Sequence, residues 1–325
     1  MRRFALTEPG LTRRRLLPVA AGAAASFLLA CENGAARQLL PTAFSSIVPP
    51  GACDAHVHVI GDPSRFPMSR SREYTPPPAT REELTAALEL IGFPRVVIVT
   101  PSVYGSDNAV TIDAVKHIGK HRARAVVIVD YPVPIAWRKK PQFEEVAGAR
   151  FLAAGGLAFD RLDVKKRLGA FFDLCARHGW HLDISMPPEV TAALYHELRA
   201  SPVPLVFDYF AWLAGGVSQI GFHQVIRLLR SGVAYVKLSE PYRLSRRSDY
   251  GDLTEVVHAM MHANPDRILW GSGWPHVDSS ATTVPLASNL PINDFSLLRV
   301  LADWIPDRDD RRKVLVDNPA RLYHF

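Results

Sequence analysis

CDAHVHVI, residues 53–60, is the first of eight short apolar runs, and the spacing of the other seven decides the fold. Those are RVVIVTP (95–101), RAVVIVD (124–130), ARFLAA (149–154), HLDISM (181–186), PLVFDY (204–209), AYVKLS (234–239) and ILWGSG (268–273). Helical patterns follow them near 80–91, 108–121, 139–147, 161–178, 189–200, 221–231, 252–263 and 294–304. Short runs of β-branched residues suit strands buried on both faces, as parallel strands are. Eight β-then-α units in about 250 residues predict an α/β fold of the (β/α)8 TIM-barrel type. A doubly wound open sheet is the alternative, but no Gly-rich phosphate turn follows the first strand. Asp107-Asn108 and Asn318-Pro319 are placed to open helices.

Hydrophobic content of 48% with 22% charged residues is that of a globular enzyme rather than a disordered chain. The net charge of +6 is concentrated at the start. Residues 1–31 hold Arg2, Arg3, Arg13, Arg14 and Arg15 against Glu8, leaving 33 basic and 31 acidic residues elsewhere. The basic balance is therefore a property of the leader and argues against nucleic-acid binding. TRRRLLPVAAGAAASFLLAC (12–31) reads as a twin-arginine export signal, its apolar stretch too short for a mature membrane span of about 20 residues. Leu28-Leu29-Ala30-Cys31 resembles a lipoprotein box with Cys31 as the acylated residue. The expected location is the periplasm, free or lipid-anchored; an uncleaved anchor helix is the bland alternative. Residues 32–50 read as a linker and 51–325 as the barrel domain. Cys53 and Cys175 are expected as buried small hydrophobes rather than a disulfide. Nothing in the sequence sets the oligomeric state.

Barrel chemistry sits at the C-terminal ends of the strands. Period-two alternation puts Asp54, His56 and His58 on one face of the first strand. Two neighbouring imidazoles suit either a divalent metal such as zinc or a polarised substrate carbonyl. Arg150 on the fourth strand needs a carboxylate, from the protein or from a ligand. The sixth strand ends in Asp208-Tyr209, and the seventh offers Lys237, then Glu240 and Arg243. Lys237 either meets substrate or neutralises Asp208. Tyr74, in the long connection 61–79, belongs to a segment long enough to cover a site. The eighth strand ends in Gly273, where a metal-dependent hydrolase would need a carboxylate. His276 and Asp278, in the following loop, are the nearest replacements, and Gly273 itself is expected to clear room below Trp274.

CDAHVHVIGD (53–62), REYTP (72–76), SVYGSDN (102–108), GARF (148–151), VFDYF (206–210), LWGSGWPH (269–276) and NPARLY (318–323) together resemble the amidohydrolase-related family of TIM-barrel hydrolases. Within it, they are similar to the branch holding pyrone dicarboxylate lactonase and D-galactarolactone isomerase. The resemblance implies an acid lactone as substrate and no obligatory metal. It implies that His56 and His58 polarise the lactone carbonyl, while Tyr74, Arg150 and Arg243 hold carboxylate groups. The departures are specific. The lactonase has an aspartate base at Gly273, histidine at Tyr209, and arginines at Trp212 and Gly156.

The leading expectation is thus a hydrolase of a small anionic lactone, with Asp208, His276 or Asp278 handling the proton. The alternatives are a lactone isomerase, a metal-dependent amidohydrolase or decarboxylase using His56 and His58, and a non-catalytic exported binding protein.

Overall fold

A computed structural model describes residues 47–138, 144–153, 160–278 and 287–325. The leader with Cys31, most of the linker, part of the 139–147 pattern and Gly156 lie outside the described residues. Eight parallel strands follow one another around a single sheet: β1 Cys53–Val57, β2 Arg95–Val99, β3 Ala123–Ile128, β4 Val146–Leu152, β5 His181–Ser185, β6 Leu205–Phe207, β7 Ala234–Ser239 and β8 Ile268–Gly271. Two backbone bonds close the ring from β8 to β1: Gly273 N–H to the His56 carbonyl (2.9 Å) and His58 N–H to the Trp274 carbonyl (2.8 Å).

The helices outside are α1 Arg81–Ile91, α2 Ala109–Ile118, α3 Arg161–His178, α4 Pro188–Ala193, α5 Tyr195–Arg199, α6 Phe222–Arg230, α7 Thr254–Ala263, α8 Asp294–Trp304 and α9 Asn318–Tyr323. Local chemistry sets several of their ends. Thr80 and Glu83 form a reciprocal capping box on α1, and Gly92 ends that helix at φ 92°. Asp160 accepts the Leu162 and Asp163 amides at the start of α3.

Three local readings are corrected. Of the 139–147 pattern, the described residues 144–147 are not helical: Glu144 and Glu145 form a turn and β4 begins at Val146, because the run VAGARFL pairs with β3 and β5, while a helical turn lies earlier, at Ile135–Arg138. Asp107 rather than Asn108 accepts the first amide of α2, from Ala109 (2.9 Å). Asn108 instead ties strands together, accepting from Ile128 N–H and donating to the Ile128 carbonyl, both at 2.8 Å. Asn318 lies inside the last helical turn, donating to the Pro265 and Ile268 carbonyls (2.8 Å each) rather than capping. The linker reading also ends early: Val48 is already packed into the core.

The inside of the barrel is layered. Cys53, Ala55, Val97, Val126, Val206, Tyr235 and Leu269 form an apolar floor with Leu322 and Tyr323 of α9. Arg124 at the start of β3 donates to the Tyr323 carbonyl (2.9 Å), fastening that plug. Cys53 and Cys175 are free and buried. Above the floor the inward side chains turn ionic, and above those lies the mouth.

Candidate active site

The site begins with an irregularity in β1. Asp54 is in register with Val96 and Val57 with Ile98, two positions apart on β2 but three on β1. The extra residue is a β-bulge, and it breaks the alternation expected from the sequence. Cys53 and Ala55 face the barrel floor, His56 and His58 face its interior higher up, and Asp54 leaves their face. Its carboxylate accepts from the Ser272 (3.0 Å) and His56 (3.2 Å) amides, and burial pushes its pKa up to about 7. Asp54 thus pins the β1–β8 seam.

Below the mouth lies a belt of buried charge. Lys237 on β7 sits between Asp183 on β5 and Asp208 after β6, bonded to the first and 3.1 Å from the second. Arg150 on β4 donates to Asp208 (3.0 Å) and to the Tyr209 hydroxyl (2.9 Å). His56 Nδ1 lies 3.1 Å from Asp208 Oδ1. Two cations face two carboxylates, so the belt is nearly neutral, as a buried array must be. Burial alone would raise the Asp208 carboxyl, but Lys237, His56 and Arg150 outweigh it and hold it well below the ordinary range. Asp183 is pushed up to about 7 by burial and by the Asp208 charge. Asp208 and Lys237 are fully buried, and neither lines the cavity at the mouth. Their expected contact with substrate is therefore corrected to mutual neutralisation and the orientation of His56. Arg150 reaches the cavity wall, but its carboxylate partner is Asp208.

The mouth is a cavity of about 470 Å³ walled by His58, Arg72, Tyr74, Arg150, Tyr209, Trp212 and Arg243, among others. The connection 61–79 contributes Ser71 to Tyr74, and an antiparallel bridge between Ile60 and Ala79 ties its two ends together. Opposite it, Tyr209 to Trp212 adopt φ of 54°, 53°, 55° and 59°, a left-handed turn of non-glycine residues costing about 1–2 kcal/mol each. Such strain persists where surroundings enforce it, commonly at ligand sites. Here the turn directs Tyr209 and Trp212 onto the cavity wall.

The ring nitrogens carry the chemistry. His58 Nδ1 lies 2.8 Å from the Val99 carbonyl, which can only accept, so Nδ1 holds the proton and Nε2 a lone pair. Burial, then the charges of His56 and Arg150, drive the His58 pKa well down, so the ring stays neutral. His56 Nδ1 lies between an acceptor, Asp208 Oδ1 (3.1 Å), and a donor, Lys237 Nζ (3.2 Å), and burial lowers its pKa. A neutral ring offering a lone pair cannot donate to a carbonyl oxygen. At His58, Nε2 is therefore placed to accept a proton or a cation rather than to donate to a lactone carbonyl.

Neither His276 nor Asp278 lines this cavity. His276 lies behind it, Nε2 3.0 Å from Asp294 and Nδ1 3.2 Å from the Tyr242 hydroxyl. Asp278 sits in the connection beyond, its amide bonded to the Ser288 carbonyl (2.9 Å). Instead the acid near the histidines is Glu240, directly after β7, with Oε1 3.7 Å from His56 Nε2. Ligand atoms of His56, His58 and Glu240 all lie within 4.8 Å of one another, a set able to hold a divalent cation. Nor does Gly273 leave open space. A Cβ there would overlap Glu240 Cγ and lie 2.8 Å from the Tyr242 hydroxyl. Asp183 and Glu240 escaped the sequence reading as site residues. The alternation of HLDIS with inward His181 could have found Asp183; Glu240, beyond its strand end, left no periodic signal.

A family model described as amidohydrolase matches residues 53–325. A 4-sulfomuconolactone hydrolase of Hydrogenophaga intermedia is 32% identical over 284 residues, covering 85% of this chain and 90% of that protein. A 2-pyrone-4,6-dicarboxylate hydrolase of Comamonas testosteroni is 30% identical over 288 residues, covering 85% of this chain and 91% of that protein. Among solved structures, a probable 2-pyrone-4,6-dicarboxylic acid hydrolase from Acinetobacter baumannii with citric acid bound superposes with a TM-score of 0.68 at 19% identity. That likeness covers 85% of this chain and 100% of the other and speaks for the fold.

Proposed function

The chain belongs to the amidohydrolase family, and on that footing we propose that it hydrolyses the ring ester of a small anionic lactone. The observation that carries the reading is the two-ended cavity. One end is rich in lone pairs, from His58 with His56 and Glu240 beside it; the other is cationic, with Arg72, Arg150 and Arg243. A carboxylate or sulfonate on the substrate is drawn to the guanidinium end. That orientation presents the ring carbonyl, and the water that attacks it, to the lone-pair end. The water's oxygen bonds to the carbonyl carbon and its proton passes to that end. As the ring C–O bond breaks, the proton goes to the ring oxygen, and the product is a hydroxy acid whose new carboxyl ionises. Arg243 and the Tyr209 hydroxyl stand where donors are needed by the carbonyl oxygen as it gains charge. The residues also fit a divalent cation: among the described residues Glu240 Oε1 is buried without a hydrogen-bond partner, and the donor set is two imidazoles and a carboxylate. Held there, a cation would supply carbonyl polarisation and acidify water.

Steady-state hydrolysis of a panel of five- and six-membered lactones bearing one or two anionic groups tests this reading. Loss of the His56 acceptor is expected to lower kcat/KM by about 10²–10⁴-fold. Rates of His56→Ala matching the wild type would remove the proposal.

Residues 1–31 we propose to be an export leader that delivers the folded barrel to the periplasm, with Cys31 available for lipid attachment. Arg13→Lys with Arg14→Lys is expected to leave the protein in the cytoplasmic fraction. Unchanged periplasmic recovery, read by cell fractionation and immunoblot, would rule the leader out.

A further inference from the structure

We propose that an apolar side pocket at the ends of β4 and β5 receives a hydrocarbon substituent of the substrate, so that the lactone taken carries an alkyl or aryl group close to its anionic group. This rests on the lactone reading and extends it to the substituent. A second cavity, of about 310 Å³, is walled by Ala153, Ser185, Met186, Pro187, Pro188 and Trp212. Ala153, Ser185 and Trp212 also wall the mouth, so the two spaces adjoin. Ala153 directly follows β4 and Met186 directly follows β5, which places the pocket on the catalytic face of the barrel.

The chemistry of that wall selects its occupant. None of the six residues is ionisable. The two polar side chains among them satisfy each other: Trp212 Nε1 donates to Ser185 Oγ at 3.1 Å. Pro187 and Pro188 have no amide N–H to offer. The Pro187 carbonyl accepts from the Val190 (3.0 Å) and Thr191 (3.1 Å) amides, and the Ser185 carbonyl from the Ala153 amide (3.0 Å). A carboxylate or hydroxyl entering here would give up water without gaining a partner, whereas hydrocarbon would gain contact with thioether, pyrrolidine and indole.

Position fixes where on the substrate that hydrocarbon sits. Arg150 donates to the Tyr209 hydroxyl (2.9 Å), and the Tyr209 ring meets the Trp212 indole edge-on, with centroids 5.1 Å apart. The side pocket thus opens beside the cationic end of the mouth. A substrate whose anionic group meets Arg150 turns the adjoining carbon towards Trp212. The border is also fixed in place. Trp212 stands at φ 59° in the left-handed turn, and its carbonyl accepts from the Ala214 amide (2.9 Å) and Gln219 Nε2 (3.3 Å). With two prolines opposite, the pocket is formed before substrate arrives, and little ordering cost is left for binding. Contact made here, away from the reacting carbonyl, is available to discriminate between lactones.

Isothermal titration of succinate, methylsuccinate, propylsuccinate and pentylsuccinate into the full chain reads the pocket apart from any reaction, since these diacids hold no ester. Affinity is expected to rise about fourfold per added methylene as far as propyl. Met186→Gln keeps the shape and makes the wall polar; Ala153→Leu fills the space. Each is expected to cut the gain from succinate to propylsuccinate to about threefold or less. Melting temperatures show which variants are folded, and either one suffices for the test. Equal affinity across the series, no binding by any member, or a full gain retained in a folded variant would overturn the proposal. On lactones that are hydrolysed, the same substituents should raise kcat/KM by like factors, and a flat lactone series would overturn the assignment of substrate. A diacid gain with no lactone hydrolysed would uphold the pocket and remove the hydrolase reading; hydrolysis with a flat diacid series would remove the pocket alone.

Discussion

At the scale of single residues, the barrel's interior is a problem in charge balance. Lys237 is wholly buried, and what makes that tolerable is two carboxylates, Asp183 and Asp208, within reach of one ammonium. Removing one partner of such an array costs more than the array contributes, because the remaining charges stay buried without compensation. Lys237→Met is therefore expected to lose about 3–5 kcal/mol in urea unfolding. Lys237→Met with Asp183→Asn should recover much of it. A single variant as stable as the wild type would show that the belt carries no such demand. The lysine and Asp208 were legible as neighbours from alternation and strand order. The place of Glu240 beside His56 was not, since a left-handed residue past a strand end has no period to read.

At the scale of elements, the strands follow their sequence signals closely, and the deviations are instructive. β7 and α3 occupy the runs that their patterns predict, 234–239 and 161–178. β1 does not obey period two, because the bulge between Asp54 and Val57 inserts a residue. Pattern reading sees only side-chain identity, and H-x-H looks the same with or without a bulge. What the bulge achieves is physical: it separates Asp54, which needs two backbone amides, from His56, which needs Asp208. The turn Tyr209–Trp212 is a second such case, since nothing in YFAW distinguishes a left-handed turn from an ordinary one.

At the scale of the whole molecule, ionisable groups buried at different depths pull stability in opposite directions with pH. His181 on β5 is buried, and burial, chiefly, lowers its pKa to about 3 from 6.5. Between those values the unfolded chain holds a proton that the folded chain does not. Its contribution is present above about 6.5 and lost as the pH falls towards 3, at about 1.4 kcal/mol per unit. Asp54 and Asp183, raised to about 7 from 3.8, act the other way: their contribution is present below 3.8 and lost as the pH rises through 7. The wild-type profile is consequently flattened, and the useful measurement is a difference. The stability of the wild type minus that of His181→Phe, from denaturant melts, should rise with pH across 3–6.5. A flat difference would contradict the buried neutral imidazole.

The sequence by itself determined the barrel, its strand order, the imidazole pair and the cationic wall, because hydrophobic period and strand-end position are properties of neighbouring residues. The tertiary structure alone decided that His58 Nε2 carries a lone pair, which arginine is bonded to Asp208, and which side chain lies against Gly273. Those depend on atoms brought together from distant strands, as His56 on β1 and Lys237 on β7, 181 residues apart in the chain. Glu240 meets the space left by Gly273 only after β7 and β8 pair and the backbone at 240 turns left-handed.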